Sequence, residues 1–331
     1  MVISRTPLRI SFFGGGTDYP VWYEKRPGTV ISTSINKYLY ITCRYLPPFF
    51  KYNFRIRYTK QEHTKKVSQI MHPSARECLK FLQFSRGVEI QHNADLPANS
   101  GLGSSSAFTV GLLNALFALK GKNINKVKLA KGAIFVEQNL IKENVGSQDQ
   151  TVAAYGGLNR IDFGGKDLIK VHPLLADNGR LDLLQNHLML FFTGFVRNAP
   201  DIAKTQIKAT KRKTKELEEM FNLVGEAEKV IKNKKTPITE FGKLLAETWK
   251  LKKALTSKIS NGKIDEIYRA ATAAGATGGK LLGAGGGGFM LFFAKPSSQK
   301  QVKNALRKLL YVPFKFENTG SQIIYKMPND N

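Results

Sequence analysis

The chain has 331 residues, 42% of them hydrophobic, enough to fill a sizeable core and long enough to favour two domains over one. Only Cys43 and Cys78 occur, which excludes a disulfide framework or a Cys/His metal cluster and fits a reducing compartment. Lys and Arg number 51 against 25 Asp and Glu; the basic runs alternate with acidic ones and accompany no nucleic-acid motif, so a solvated mixed-charge surface is expected, with nucleic-acid binding the minor alternative.

The N-terminus lacks the order of a signal peptide, and no apolar run is long enough to cross a bilayer, so a soluble cytoplasmic protein without a membrane partner is expected. Residues 2–13, 28–35, 38–46, 54–58 and 87–94 alternate or carry β-branched and aromatic side chains and read as strands. The spacing predicts a helix over 104–119, with Phe108, Leu112, Ala115, Leu116 and Leu119 on one face. A second helix is predicted over 125–144, with Leu129, Ile134, Leu140 and Ile141 aligned. Residues 155–163 and 188–195 read as strands. From about 199 to 277 the chain reads as helical and lysine-rich. A strand (289–296), a helix (297–310) and two short β-like runs close the sequence. The order suggests an α+β N-terminal domain over 1–178 and an α+β C-terminal domain over 179–331.

Three glycine-rich stretches interrupt these elements. In the run Gly101–Leu102–Gly103–Ser104–Ser105–Ser106, glycines and hydroxyls open a helix N-terminus. There unpaired N–H groups and the helix dipole favour a phosphate, although a single serine acting as N-cap would explain part of the pattern. The run from Gly283 to Gly288 leads into a strand rather than a helix, so it is not a dinucleotide fingerprint; its backbone passes close to a ligand or to another loop. The third, Gly14–Gly15–Gly16–Thr17–Asp18, follows the strand that carries Arg9. Glu137 falls on the apolar face of the second helix, where an ionised carboxylate needs a partner, either a metal or a lysine. Asp149 lies in a polar stretch read as a loop, where catalytic groups are often displayed. Phosphate cradle, metal carboxylate, base and cationic clamp together describe a phosphoryl-transfer site.

At these residues the sequence resembles the GHMP kinases. The stretch Arg5–Pro20 is similar to the family's N-terminal motif, Pro97–Ala107 to its central ATP loop, and Gly283–Phe289 to its C-terminal glycine motif, in that order. The resemblance implies a ribosomal protein S5 domain 2-like N-terminal domain followed by a ferredoxin-like one. It implies ATP held by Pro97, Ser100, Gly101, Leu102, Gly103, Ser104, Ser105 and Ser106, and Mg²⁺ held by Ser105 and Glu137. Asp149 would act as base or positioner, with Arg9 beside it and the transferred phosphate. Gly15, Gly16, Thr17, Asp18, Gly285, Gly286 and Gly287 would face the acceptor. Gly15 and Gly16 stand where galactokinases carry Glu and His, which argues against galactose. The pattern is similar to the branch acting on the anomeric hydroxyl of D-glycero-D-manno-heptose 7-phosphate, on the route to GDP-activated heptose for surface glycans. A fucose-type sugar-1-kinase shares the triple glycine. A phosphorylated acceptor needs its own cations, for which Arg76 or Arg197 is expected.

Overall fold

The structure is a computed structural model that describes residues 1–165, 168–195 and 199–327. Two sheets organise it. The first is built on two long antiparallel strands, β1 (Val2–Phe13) and β2 (Gly28–Tyr45), joined through the glycine loop and a single helical turn, α1 (Pro20–Tyr23). Residues 28–46 were expected as two strands, with polar Asn36–Lys37 as the break. Instead these two residues bulge between Ile35, opposite Leu8, and Tyr38, opposite Pro7. A bulge bends a strand without ending it, and β2 changes partners along its length.

Beyond β2 come β3 (Phe54–Arg57), β4 (Gln61–Thr64), α2 (Pro73–Phe81) and β5 (Val88–Ala94). β5 pairs with the second half of β2 and, in parallel, with β3. Three helices follow: α3 (Ser104–Leu119), α4 (Lys126–Phe135) and α5 (Gln148–Tyr155). α3 is apolar nearly all round, as befits a central helix packed on β1 and β2 and covered by α4 and α5. The sheet continues through β6 (Leu158–Gly164), paired with the first half of β2, and β7 (Leu168–Pro173).

After α6 (Asn178–Asn186) the chain enters the second sheet with β8 (Leu188–Phe192). Helices α7 (Ala199–Ala209), α8 (Thr214–Lys232), α9 (Thr239–Leu255) and α10 (Gly262–Ala273) occupy the lysine-rich stretch. β9 (Ala276–Leu281), β10 (Phe289–Ala294), α11 (Gln299–Ala305) and β11 (Leu310–Tyr311) complete an antiparallel sheet of order β11-β8-β10-β9. The chain then crosses back: β12 (Phe316–Glu317) pairs with β2, and β13 (Gln322–Lys326) pairs with β1. Phe12 and Phe13 pack edge-on against Phe241 of α9, at 5.3 and 5.0 Å between ring centroids. This contact fixes the second half of the chain over the end of β1, where the glycine loop starts.

Candidate active site

A cavity of about 260 Å³ opens where the three glycine stretches meet. Its walls include Arg9 and Ser11 of β1, Gly15, Gly16 and Asp18 of the first loop, and Gly101 and Gly103 to Ser106 of the second. Asp149 of α5 and Gly283 and Ala284 of the third loop complete them.

The helix that begins at Ser104 has no side-chain cap. Gly103 holds the N-cap position in the left-handed region (φ 76°), and no serine hydroxyl closes back on the first turn. That position suits glycine for two reasons, its positive φ and the Arg9 Cγ only 3.1 Å from where a Cβ would stand. The first-turn N–H groups therefore face the cavity, and anion binding is what such an end offers.

The glycine loops pack on each other. A Cβ on Gly283 would lie 2.5 Å from the Gly101 Cα, and the Phe289 N–H donates to the Ser100 carbonyl at 3.1 Å. Of the two readings of the C-terminal run, loop or ligand, its middle residues meet protein: Gly285 approaches the Ile259 backbone and Gly287 the Phe195 carbonyl, while Gly283 and Ala284 reach the cavity. Gly288 has φ +102°, and a Cβ there would sit 2.2 Å from the Ser100 carbonyl oxygen. Gly288→Ala is expected to destabilise the protein by about 2–4 kcal/mol and to weaken ATP binding, because relief requires parting the two loops. Denaturant melts and nucleotide titration of the variant measure both.

Arg9 and Asp149 form a two-pronged ion pair, Nε to Oδ1 at 2.7 Å and Nη2 to Oδ2 at 2.6 Å. The third arm of the guanidinium, Nη1, donates to the Gly101 carbonyl at 2.6 Å. One buried arginine thus fixes both the carboxylate and the phosphate loop. Asp149 belongs to the first turn of α5, not to a loop as expected from sequence. Asp18 is buried at the cavity wall; its Oδ1 accepts from the Gly16 N–H at 2.9 Å. Burial raises its pKa, and the charge of Asp149 adds to the rise.

Glu137 sits where α4 widens into a π turn, Val136–Ile141. Such turns insert one residue and re-aim the side chains around them. Its carboxyl is fully buried, and burial pushes its pKa up to about 7. Oε2 accepts from the Ser106 hydroxyl and from Gln150, and the Thr109 hydroxyl is near enough to favour the ionised carboxyl, whereas Oε1 has no partner at hydrogen-bond distance and angle. The residue in contact is Ser106; Ser105 is exposed and lines the cavity mouth.

Other expected residues fall away from the cavity. Leu102 is core, and its carbonyl receives the Arg9 N–H. Ser100 is buried, and Pro97 is exposed outside the cavity wall. The Thr17 hydroxyl faces inward to the Gly14 and Thr29 carbonyls and holds the loop shut from behind. Arg76 is no candidate for the cavity: Nε is paired with Glu77 at 2.8 Å and Nη1 donates to the Ile70 carbonyl at 2.9 Å, which anchors α2. Arg197 lies outside the described residues.

Comparisons with known proteins show the family of the chain. The description "GHMP kinases N terminal domain" matches residues 67–157, and "GHMP kinases C terminal" matches 227–312. The D-glycero-alpha-D-manno-heptose 7-phosphate kinase of Campylobacter jejuni is 30% identical over 318 residues, covering 92% of this chain and 93% of that protein. The chain belongs to the GHMP kinases. A mevalonate kinase of Pyrococcus horikoshii is 30% identical over 67% of this chain and 63% of its own length. In fold, this GHMP kinase superposes on a D-glycero-D-manno-heptose 1-phosphate kinase from Bacteroides thetaiotaomicron with a TM-score of 0.78, at 24% identity over 99% of this chain and 100% of that one. It superposes on a Streptococcus pneumoniae phosphomevalonate kinase, solved with phosphomevalonate and AMPPNP, with a TM-score of 0.76, at 14% identity over 96% and 100%. The two-domain α+β GHMP kinase fold expected from sequence is the one found.

The sequence reading of this GHMP kinase passed over three charged cavity residues: Glu143, Lys252 and Lys280. Burial raises the pKa of Glu143. Lys252 and Lys280 are almost wholly buried, at 6% and 2% exposure. A signal for Lys252 was available, since it falls on the buried stripe of α9 with Leu245, Thr248, Trp249 and Leu255. A lysine on such a stripe needs a reason.

Proposed function

We propose that this GHMP kinase transfers the γ-phosphoryl group of ATP to the anomeric hydroxyl of D-glycero-D-manno-heptose 7-phosphate, giving the 1,7-bisphosphate on the way to GDP-activated heptose for surface glycans. The observation that carries the substrate class is the heptose 7-phosphate kinase of C. jejuni, similar along nearly the whole of both chains. The cavity supports phosphoryl transfer. In the proposed step, the sugar O–H bond breaks, an O–P bond forms at the γ-phosphorus, and the bond to the β,γ-bridging oxygen breaks, releasing ADP.

Asp149 orients the attacking hydroxyl and takes its proton. Arg9 occupies one lone-pair direction on each carboxylate oxygen, and the Gln148 amide donates to Oδ1 at 3.3 Å, which leaves Oδ2 with the freer lone pair. Such a clamp holds the carboxylate in one orientation toward the cavity. Asp18, Gly15 and Gly16 form the wall against which the sugar packs, with Asp18 accepting from a sugar hydroxyl. The triphosphate lies along Gly101 to Ser106 on the uncapped end of α3. Arg197 is proposed to hold the acceptor's own phosphate.

Mg²⁺ is implied by the family, and the residues fit it. Glu137 Oε1 is a buried carboxylate oxygen without a partner beside the phosphate loop. No group of three or more His, Cys, Asp or Glu converges among the described residues. A hard cation that takes one carboxylate and completes its shell with phosphate oxygens and water asks for no more. Glu137, which meets the cavity wall through the Ser106 hydroxyl, and Ser105 at the cavity mouth would hold it, and it would neutralise charge on the transferred phosphate. No helix of the described residues is long and apolar enough to cross a membrane; we place the enzyme in the cytoplasm, where ATP is at hand.

ATP consumption with Mg²⁺ should be far faster with heptose 7-phosphate than with free heptose, fucose, mannose or galactose. The ³¹P spectrum of the product should carry a new anomeric phosphate. Equal turnover of free and phosphorylated sugar would discard the heptose-phosphate reading.

A further inference from the structure

Lys252 and Lys280 come from α9 and β9 and meet at the cavity wall beside the glycine turn. Lys280 Nζ donates to the Phe12 carbonyl at 2.7 Å. Lys252 Nζ donates to the carbonyls of Leu281 (3.3 Å) and Gly283. Neither makes an ion pair within the described residues; their partners are neutral carbonyls. An ammonium has three N–H donors. One carbonyl satisfies one donor of Lys280, and two satisfy two of Lys252, so each keeps a donor for the cavity it lines.

Buried ammonium groups without an anion are costly, and these two stand close to a third cation, Arg9. Burial first, and then the Arg9 charge, lower the Lys252 pKa to about 8, with Asp18 and Asp149 opposing the drop. Burial likewise lowers the Lys280 pKa well below its ordinary value, with Lys252 and Arg9 contributing. Arg9 is engaged with Asp149, so Lys252 and Lys280, held only by carbonyls, are the ammonium groups that an anion entering the cavity would meet.

The position selects which anion. The Lys252 ammonium holds the Gly283 carbonyl. Gly283 packs on Gly101, whose carbonyl is held by Arg9, which grips Asp149. Lys252 is therefore one loop thickness from the group proposed to steer the attacking hydroxyl. We propose that Lys252, backed by Lys280, is a catalytic cation that binds the oxygens of the phosphoryl group in transfer, closing from the C-terminal half a seat that Arg9 and the start of α3 form from the N-terminal half. The assignment rests on the kinase reading above but not on which sugar is the acceptor. It also accounts for the short approach of the two glycine loops, which brings a cation from one half to a phosphate held by the other.

The test needs no acceptor. Dissociation constants for ADP and for a non-hydrolysable ATP analogue are measured with Mg²⁺ for the wild type, Lys252→Met and Lys280→Met. Methionine keeps the length and apolar stem, so packing is preserved. For Lys252→Met the analogue should bind roughly ten- to thirty-fold more weakly, the scale of one charge-assisted hydrogen bond. ADP affinity should change less than about twofold, and Tm should hold or rise because a buried charge is gone. Lys280→Met should show the same pattern with a smaller loss. Lys252→Arg should recover part of the analogue affinity. Equal loss of ADP and analogue binding together with a lowered Tm would make Lys252 a structural bridge and overturn the proposal. So would unchanged nucleotide binding with a raised KM confined to phosphorylated acceptors, which would assign the lysine to the acceptor's phosphate. If the variants behave as expected but the wild type phosphorylates no heptose phosphate, the lysine assignment stands and the substrate reading falls.

Discussion

Asp149→Asn is expected to lower kcat by roughly 10²–10⁴ while leaving ADP affinity near wild type. Asparagine fills the same space but presents an NH₂ where Oδ1 or Oδ2 now accepts from Arg9. One of the two prongs becomes donor against donor, and the proton acceptor for the sugar hydroxyl is lost with it. The nucleotide contacts proposed above lie on the other side of Arg9, at Gly101 and the start of α3, and Nη1 of Arg9 can keep its carbonyl. A loss confined to kcat is the signature of an interaction made in the transition state. Single-turnover rates alongside ADP titration check it. A variant with near wild-type kcat would remove Asp149 from the reaction.

Glu137→Gln should reduce turnover by roughly 10²–10³ and raise the Mg²⁺ concentration needed for half-maximal rate, since a neutral amide is a poor ligand for a hard cation. Its effect on stability runs the other way. In the metal-free protein burial lifts the Glu137 pKa from 4.5 to about 7. Between those values the folded state binds more protons than the unfolded one, so stability is full below pH 4.5 and declines as pH rises to about 7, by about 3 kcal/mol in all. Glutamine resembles the protonated carboxyl and abolishes that decline, so without metal the variant should be the more stable protein above pH 7. A structural ion pair would predict the opposite, and none involving Glu137 occurs among the described residues. Urea melts at pH 5 and 8, with and without Mg²⁺, separate the two roles.

The long elements and the glycine loops were legible because their signals are local. Apolar residues at helical spacing mark α3 and α4, and the glycine runs mark backbone that must pass close to something. What lay beyond the sequence was decided by partners distant in the chain. The Asn36–Lys37 bulge is set by how β2 pairs with β1 on either side of it, and nothing in those two residues distinguishes a bulge from a turn. β9 contains Gly278 and Gly279, poor strand formers, and is held by β10 and by α9 crossing at backbone distance. α5 is only eight residues long and polar at its start, so Asp149 read as loop. Arg9, Asp18, Glu137 and Asp149 could be singled out by type and setting. Lys252 and Lys280 could not be told from the many surface lysines until the fold buried them, although the stripe on α9 held a clue for the first. Arg76 failed for the converse reason, since a helical arginine beside a glutamate is satisfied locally.

The return of the chain to its first sheet bears on how the enzyme is made. The outer edge of β1 is covered by β13, and Arg5 reaches Gln322 across a separation of 317 residues. During synthesis that edge stays bare until Gln322–Lys326 have emerged, and an open strand edge invites pairing with another chain. Arg9 lies four residues further along the same strand. The strand that carries the clamp of the kinase pocket is thus sealed on one side by a segment 317 residues away in the chain. A folding intermediate in which that seam is still open would display an adhesive edge on the same strand as Arg9, so closing the seam guards the catalyst against aggregation as well as holding its sheet together.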